Sequence, residues 1–339
     1  MKTEAFTPVP DSLLDPAGVA AQGRFRGPLR VVDLRQRARR RPLDALRHKR
    51  WMYVAVATRE HLCTAAIVDA GYAANAFAFV AARQGGMLAE VSALSLPRLL
   101  ARVGDRPEAG CDAWFRAPAL RVDLTRPSEH DPYRLRVEAA ELHVDVRLSP
   151  AEAPTPIAAV ADLEHLGGGL NVTAKRVLMP VSGEVRVHGQ PIELGAALGG
   201  FDYTQGYLPR HTVWKWAFLI GNATDGTRVG LNLVQGFNGQ IECALWCGDE
   251  LIPVAEGLFD RHPDPRAPWR VRTACGTVDL QFDPFGVHSE YRNLLIVRSR
   301  FLQVMGSFSG HIRRSASGRG ADLVLDGVLG VTEDQDLLW

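Results

Sequence analysis

The residues best suited to chemistry cluster in one stretch. Asp202 stands among Phe201, Tyr203, Gly206 and Tyr207, and Arg210, Trp214 and Trp216 follow it. A carboxyl set against apolar walls has its charged form disfavoured, which suits it to donate a proton near neutral pH. Aromatic rings beside it would stabilise positive charge developing on an unsaturated substrate. This is the chemistry of hydrating, isomerising or cyclising an alkene or a strained ring. Asp202, Tyr203 and Arg210 are the catalytic candidates, and Phe201, Tyr207, Trp214 and Trp216 the aromatic pocket. The alternative is a turn aspartate capping backbone donors, with the two tryptophans packed in a core. An inward Arg210 would argue for ion pairing with Asp202 instead of acid catalysis.

Other candidates are more scattered. His130-Asp131-Pro132-Tyr133-Arg134 and His288-Ser289-Glu290-Tyr291-Arg292 share a His-x-x-Tyr-Arg pattern. Its occurrence in both halves favours a shared hairpin role, while His288, Tyr291 and Arg292 remain candidates for ligand contact. Glu242 and Glu193 are minor candidates of the same kind. The 10 histidines form no His-x-His or HExxH pair, and Cys243 and Cys247 lack a partner pair at zinc-finger spacing, so no metal is expected. Gly167-Gly168-Gly169 runs into strand-like sequence and not into a helix that could hold a phosphate, and GxSxG is absent, so no cofactor is expected either.

The elements that must position these residues are strands. Leu135 and Val137 alternate with Arg134, Arg136 and Glu138, and Leu142, Val144, Val146 and Leu148 alternate with Glu141, His143, Asp145 and Arg147. A period of two marks half-buried strands. Signposts repeat in one order in the two halves: Trp51-Met52-Tyr53 with Trp214-Lys215-Trp216, Ala57-Thr58 with Ala223-Thr224, and Asp69 to Tyr72 with Val234 to Phe237. Val122 to Leu124 then matches Val278 to Leu280, the two His-x-x-Tyr-Arg segments follow, and Ser182 to Arg186 matches Ser309 to Arg313. The expectation is an all-β protein of two tandem antiparallel barrels related by internal duplication. Short helices are expected near Pro42 to His48 and Pro97 to Val103. The expected division is an N-terminal extension over 1–22, a first unit over 23–195 with extra residues between Leu148 and Lys175, and a second unit over 196–339. The Ala196 to Leu208 stretch is expected to cross between the units and line the pocket.

At 339 residues and 46% hydrophobic residues the chain has material for two cores. Its 39 basic residues balance 38 acidic ones, which makes a nucleic-acid partner unexpected despite a basic run from Arg35 to Arg50. Neither a leader nor an apolar run long enough to span a bilayer is read from the sequence, and peripheral contact with a membrane stays open. The 5 cysteines form no CxxC pair, so a reducing, cytoplasmic setting is expected. Oligomeric state is not readable.

The segment Gly200 to Gly206 with Arg210 to Ala217, together with Phe25 to Pro28 and Lys49 to Trp51, resembles the bacterial family DUF2804, whose label carries no activity. Asp202, Gly206, Trp214, Trp216 and Asp225-Gly226 also resemble the Asp-x-x-Trp-Gly and Trp-x-Trp pattern of lipocalin-like two-barrel proteins of the carotenoid 1,2-hydratase and AttH type. Gln205 stands where those proteins have Trp. That resemblance implies two calycin-type barrels with an apolar small-molecule cavity near their junction. Three classes of function follow: an acid-catalysing enzyme, a carrier for a hydrophobic ligand, or an interaction protein with filled barrels.

Overall fold

Leu142 to Leu148 alternates buried and exposed positions, whereas every residue from Met52 to Ala57 is buried. Alternating burial leaves one face of a strand wet, while continuous burial means both faces are covered. The computed structural model, which describes residues 4–34, 44–96, 98–293, 297–314 and 321–339, shows what covers them. A first sheet contains β1 (Thr7–Pro8), β2 (Gly23–Arg26), β3 (His48–Ala57), β4 (His61–Asp69), β5 (Ala74–Ala82), β6 (Gly86–Ser95), β7 (Ala101–Val103) and β8 (Cys111–Arg116). It continues with β9 (Arg121–Arg126), β10 (Tyr133–Glu138), β11 (Leu142–Leu148), β12 (Ile157–Asp162), β13 (Leu170–Val187), β14 (Gln190–Ile192) and β15 (Leu198–Tyr207). A second sheet contains β16 (His211–Asn222), β17 (Arg228–Gly236), β18 (Ala244–Cys247), β19 (Glu250–Pro253), β20 (Gly257–Asp260), β21 (Trp269–Thr273), β22 (Val278–Asn293), β23 (Arg298–Ile312) and β24 (Leu323–Leu338).

The first sheet runs β6-β5-β4-β3-β15-β13-β11-β10-β9-β8-β7 and the second β19-β18-β17-β16-β24-β23-β22-β21-β20. Apart from the short parallel β1–β2 pair, the ladders are antiparallel. Each sheet curls until a far strand meets an early one, β7 against β4 and β20 against β17. The expected two-barrel, all-β architecture is what the chain adopts. Met52, Val54 and Val56 fill the first interior with Phe201 and Tyr203. Tyr53, Ala55 and Ala57 point the other way and pack with Trp216, Phe218 and Ile220 of the second sheet. The seam between the sheets is therefore a core in its own right.

The duplication can be followed strand by strand. Trp51 on β3 and Trp214 on β16 hold the same place in the two orders. Gly183 on β13 and Gly310 on β23 do likewise, with φ of +121° and +139°. A Cβ there would stand 2.1 Å from the Asp145 carbonyl oxygen in one copy and 2.5 Å from that of Asp279 in the other.

Several expectations need correction. β15 lies between β3 and β13, so the first unit runs through Tyr207, and the passage to the second is the short Leu208 to Arg210 segment instead of a break at 195. The supposed extension over 1–22 is tied to the first unit, with β1 on β2 and Leu13 and Leu14 in its core. Val122 to Leu124 lies on β9, two strands away from β11, the strand that matches the start of β22, so its likeness to Val278 to Leu280 is a coincidence of alternation. His130 sits in a turn before β10 whereas His288 lies within β22, and the two His-x-x-Tyr-Arg segments do not correspond. Between Leu148 and Lys175, β11 and β12 divide along β13 the pairing that β22 alone makes along β23. Asp44–Arg47 is a short helix, while the stretch from Pro97 to Val103 yields only a 3₁₀ turn at Arg98–Leu100 followed by β7. Residues 35–43 of the basic run, with the start of the first expected helix, lie outside the described residues, as does Pro97 of the second.

Gly183→Ala and Gly310→Ala are each expected to cost roughly 1–3 kcal/mol, because both demand a backbone shift at a conformation closed to side chains. Gly189→Asn, at φ +77° with nothing near the added atom, should cost little. Urea or thermal unfolding of the three variants checks this, and equal stability throughout would remove the steric argument.

Candidate active site

Tyr53, Asp202 and Lys175 lie in register across β3, β15 and β13. Trp216, Glu333 and Gln303 lie in register across the matching strands β16, β24 and β23. Tyr53 is two residues past Trp51 as Trp216 is two past Trp214, so Asp202 and Glu333 are duplication-related positions, and so are Lys175 and Gln303. Directly opposed residues in a ladder project to the same side. Each triplet thus presents one face to the seam, where a cavity of about 220 Å³ is lined by Tyr53, Asp202, Lys175, Trp216 and Glu333 among others. Aromatic rings make up a large part of its apolar wall. Trp51 and Trp214 stack at 6.0 Å and 9°, Tyr53 meets Trp216 edge-on at 5.3 Å, and Phe237 lies 5.4 Å from Trp214.

The polar floor is a buried ion cluster. Lys175 Nζ lies 2.6 Å from Asp202 Oδ1 and 3.2 Å from Glu242 Oε2, and 5.4 Å from the Trp216 ring centre. Burial alone would depress the Lys175 ammonium, but Asp202 and Glu242 outweigh it and raise it above the usual lysine value. Asp202 also accepts from Trp51 Nε1 and Thr173 Oγ1, each at 3.3 Å. Glu242 accepts from Asn238 Nδ2 at 2.6 Å, and Asn238 Oδ1 accepts from Asn171 at 3.0 Å. Every contact of Asp202 is thus an acceptor contact to a positive or N–H/O–H donor.

Glu333 has a different neighbourhood. Gln303 Nε2 donates to it at 2.6 Å, and Thr64 of β4 donates to the Gln303 carbonyl at 3.3 Å. Burial pushes the Glu333 carboxyl up to about 7, with Asp202 adding to the rise, while hydrogen bonds from Gln303 and Trp214 and the charge of Lys175 pull the other way. The Gln335 carbonyl oxygen, also on the cavity wall, is buried without a partner among the described residues.

The structure brings together Asp202, Trp214, Trp216, Glu242 and Arg292 on this cavity and leaves the other sequence candidates off it. Phe201, Tyr203 and Tyr207 alternate with Asp202 and point into the first barrel. There Phe201 stacks on Tyr133 at 4.8 Å, Tyr203 donates to Gln205 at 2.5 Å, and Tyr207 stacks on His48 at 5.0 Å. Gln205 shares that inward side, so its departure from the resembling pattern alters the first barrel's core and not the cavity. Arg210 is exposed in the connection to β16, and Lys175 takes the ion-pairing place considered for it. His288 is buried away from the lining, 2.7 Å from Glu90 and 4.3 Å from the Phe79 ring, and Tyr291 is 64% exposed. Glu193 is exposed, just past the end of β14. Among the described residues no cluster of metal-binding side chains occurs.

Sequence reasoning passed over Lys175, Glu333, Trp51 and Lys49. The last is fully buried beneath the wall, donating to the carbonyls of Leu46 at 2.6 Å and Ala70 at 2.7 Å, and burial lowers its ammonium to about 7. A Lys-Arg pair inside the otherwise uncharged stretch Leu170 to Val181 was the available signal for Lys175. Replacing Lys175 by Met leaves Asp202 and Glu242 as unpaired buried anions, and breaking such a pair costs about 3–5 kcal/mol. Lys175→Met is therefore expected to unfold at much lower urea, and adding Asp202→Asn should restore part of the loss. A double variant no more stable than the single would refute the pairing.

Among solved structures, the fold is similar to kievitone hydratase from Nectria haematococca, with a TM-score of 0.51 and 11% identity over 86% of this chain and 88% of that one. A protein assigned as AttH from Nitrosomonas europaea aligns with a TM-score of 0.49 and 13% identity over 85% and 92% of the two chains. CghA aligns at 0.41 and 12% identity over 85% and 87%. At 11% identity the likeness to the first of these speaks for the fold alone, a lipocalin-like pair of barrels. No curated protein matches the sequence. With its duplicated sheets and the cavity at their seam, the chain belongs over residues 3–339 to the family described as domain of unknown function DUF2804.

Proposed function

We propose that this protein is an acid–base enzyme that hydrates or isomerises an apolar, unsaturated small molecule in the seam cavity, with Glu333 as the proton donor. One observation carries the reading: two duplication-related carboxylates face the same aromatic cavity with opposite partners, a lysine at Asp202 and a glutamine at Glu333. Two carboxyl groups held in such different surroundings suit the roles of acid and base in one site. The hydratase fold of one structural neighbour is in keeping with it, as analogy only.

In this reading the Glu333 O–H protonates one carbon of the double bond, and the electron pair of the bond forms the new C–H. The cation left on the adjacent carbon is stabilised by the faces of Trp51, Trp214 and Trp216. Water adds to it and passes a proton to Asp202, whose Lys175 partner holds the carboxylate in place. For isomerisation, Asp202 removes a proton from a neighbouring carbon instead. Asp202 then gives its proton up to solvent and Glu333 takes one from it, which restores both groups. The unpartnered Gln335 carbonyl is placed to accept from a hydroxyl of the substrate or product.

The donor must be protonated, so turnover is expected to fall as pH rises through about 7. Glu333→Gln should lower turnover by about 10²- to 10⁴-fold while leaving affinity nearly unchanged, and it should erase that pH limb. Stability has a matching sign. The folded carboxyl titrates at about 7 and the unfolded one near 4.5, so this group's contribution is complete below the lower value and is lost as pH rises to the upper one. Glu333→Gln should therefore be more stable than the parent at pH 8, relative to pH 5. A panel of terpenoid and other apolar alkenes incubated in ¹⁸O-water, read by mass for incorporated oxygen, and in deuterium oxide, read for exchange, tests the reaction. Full turnover by Glu333→Gln would remove the acid. Tight binding without turnover across the panel would favour a carrier.

A further inference from the structure

β6 is the edge of the first sheet and runs beside β22 of the second. A Cβ on Gly86 would stand 3.1 Å from the Phe285 carbonyl, Glu90 meets His288 at 2.7 Å, and farther along Leu94 and Arg292 both line the cavity. Leu94 and Leu96 line the cavity while being 42% and 62% exposed, so they stand at its mouth. The chain continues into the Arg98–Leu100 turn, where Leu99 and Leu100 are 77% and 42% exposed. Four leucines in one short segment form an apolar edge of the kind that marks an interaction surface. On the other lip Arg298 lines the cavity and is exposed, as is Arg300 nearby. Among the described residues neither forms an ion pair, whereas Arg292 is held by Glu290 at 2.8 Å. No helix of the described residues is long and apolar enough to cross a membrane.

We propose that this mouth is a docking surface for an anionic lipid bilayer. The leucines enter the boundary between headgroups and acyl chains, the free guanidinium groups sit at lipid phosphates, and the cavity opens onto the membrane, so that an apolar molecule enters it without crossing water. The combination selects the occupant. Exposed leucines alone would suit any apolar partner, but unpaired arginines beside them call for an anionic one, and a second copy packed on the same surface would bring Arg298 and Arg300 against their own counterparts. Docking does not depend on the acid–base reading, since neither Glu333 nor Asp202 takes part in it.

Sedimentation with vesicles of phosphatidylglycerol in phosphatidylcholine, and of phosphatidylcholine alone, tests the proposal on the full chain. The parent is expected to bind the anionic vesicles and to be released by salt. The pair Leu96→Asp/Leu99→Asp should weaken binding by at least about tenfold, and Arg298→Glu/Arg300→Glu should remove the preference for anionic lipid. All four positions are exposed, so unchanged melting shows that the fold is kept. Absence of binding to anionic vesicles, or equal binding by the parent and the leucine variant, overturns the proposal. So does a concentration-dependent dimer that the leucine variant abolishes, which would make the mouth an interface between copies. Loss of turnover in Glu333→Gln with vesicle binding intact separates this surface from the chemistry within.

Discussion

A single ammonium buried between two sheets constrains much of this molecule. Lys175 is fully enclosed, and a buried cation persists only where its charge is met at short range. Meeting it takes Asp202 from the neighbouring strand and Glu242 from the far sheet, so the ion cluster ties β13, β15 and the turn after β17 into one arrangement. The aromatic walls follow from the same requirement. Trp51 and Trp216 give the cluster an indole N–H and a ring face, and they also exclude the water that would weaken it.

A second buried ion cluster lies in the first barrel. Glu108 accepts from Arg176 at 2.8 Å and from Arg126 and Tyr133 at 2.5 and 3.1 Å. Two guanidinium groups and a phenol converge on one carboxylate, and Arg126 also donates to the backbone carbonyls of Glu129 and Asp131. Arg176 and Lys175 are consecutive on β13 and therefore point to opposite sides, one to this cluster and one to the seam. Just beyond them the strand breaks register between Arg176 and Met179, with Leu178 in a left-handed conformation at φ +59°. That irregularity turns Val177 and Leu178 toward the second sheet and then restores the alternation for Met179.

The sequence disclosed the fold well because alternation and duplication are local signals. Trp51 and Trp214, and Gly183 and Gly310, could be matched by eye since the packing and backbone demands behind them recur in each copy. It disclosed the site only in part. Asp202, Trp214, Trp216 and Glu242 were legible, but Phe201, Tyr203 and Tyr207 share a segment with Asp202 and not a side, and their placement depends on which face of β15 looks outward. Glu333 was hidden for another reason. It belongs to the acidic run Thr332 to Asp336, which reads as a solvated surface, and only its register with Trp216 and Gln303 places it against a cavity. Tyr133 and Tyr291 show the reverse error: the same pattern in both halves, yet one is buried in an ion cluster and the other faces solvent.

The exchange of lysine for glutamine at matching positions also bears on how such a site could arise. When two identical subunits meet about a twofold axis, every residue at the meeting point occurs twice in the same surroundings, and two carboxylates facing each other there have the same set of partners. Joining the copies in one chain lifts that restriction, because each can then change alone. Lys175 without a second lysine at position 303 is such a change. A lasting difference across the seam, with a lysine on one side and a glutamine on the other, is available to a fused pair and closed to a symmetric one.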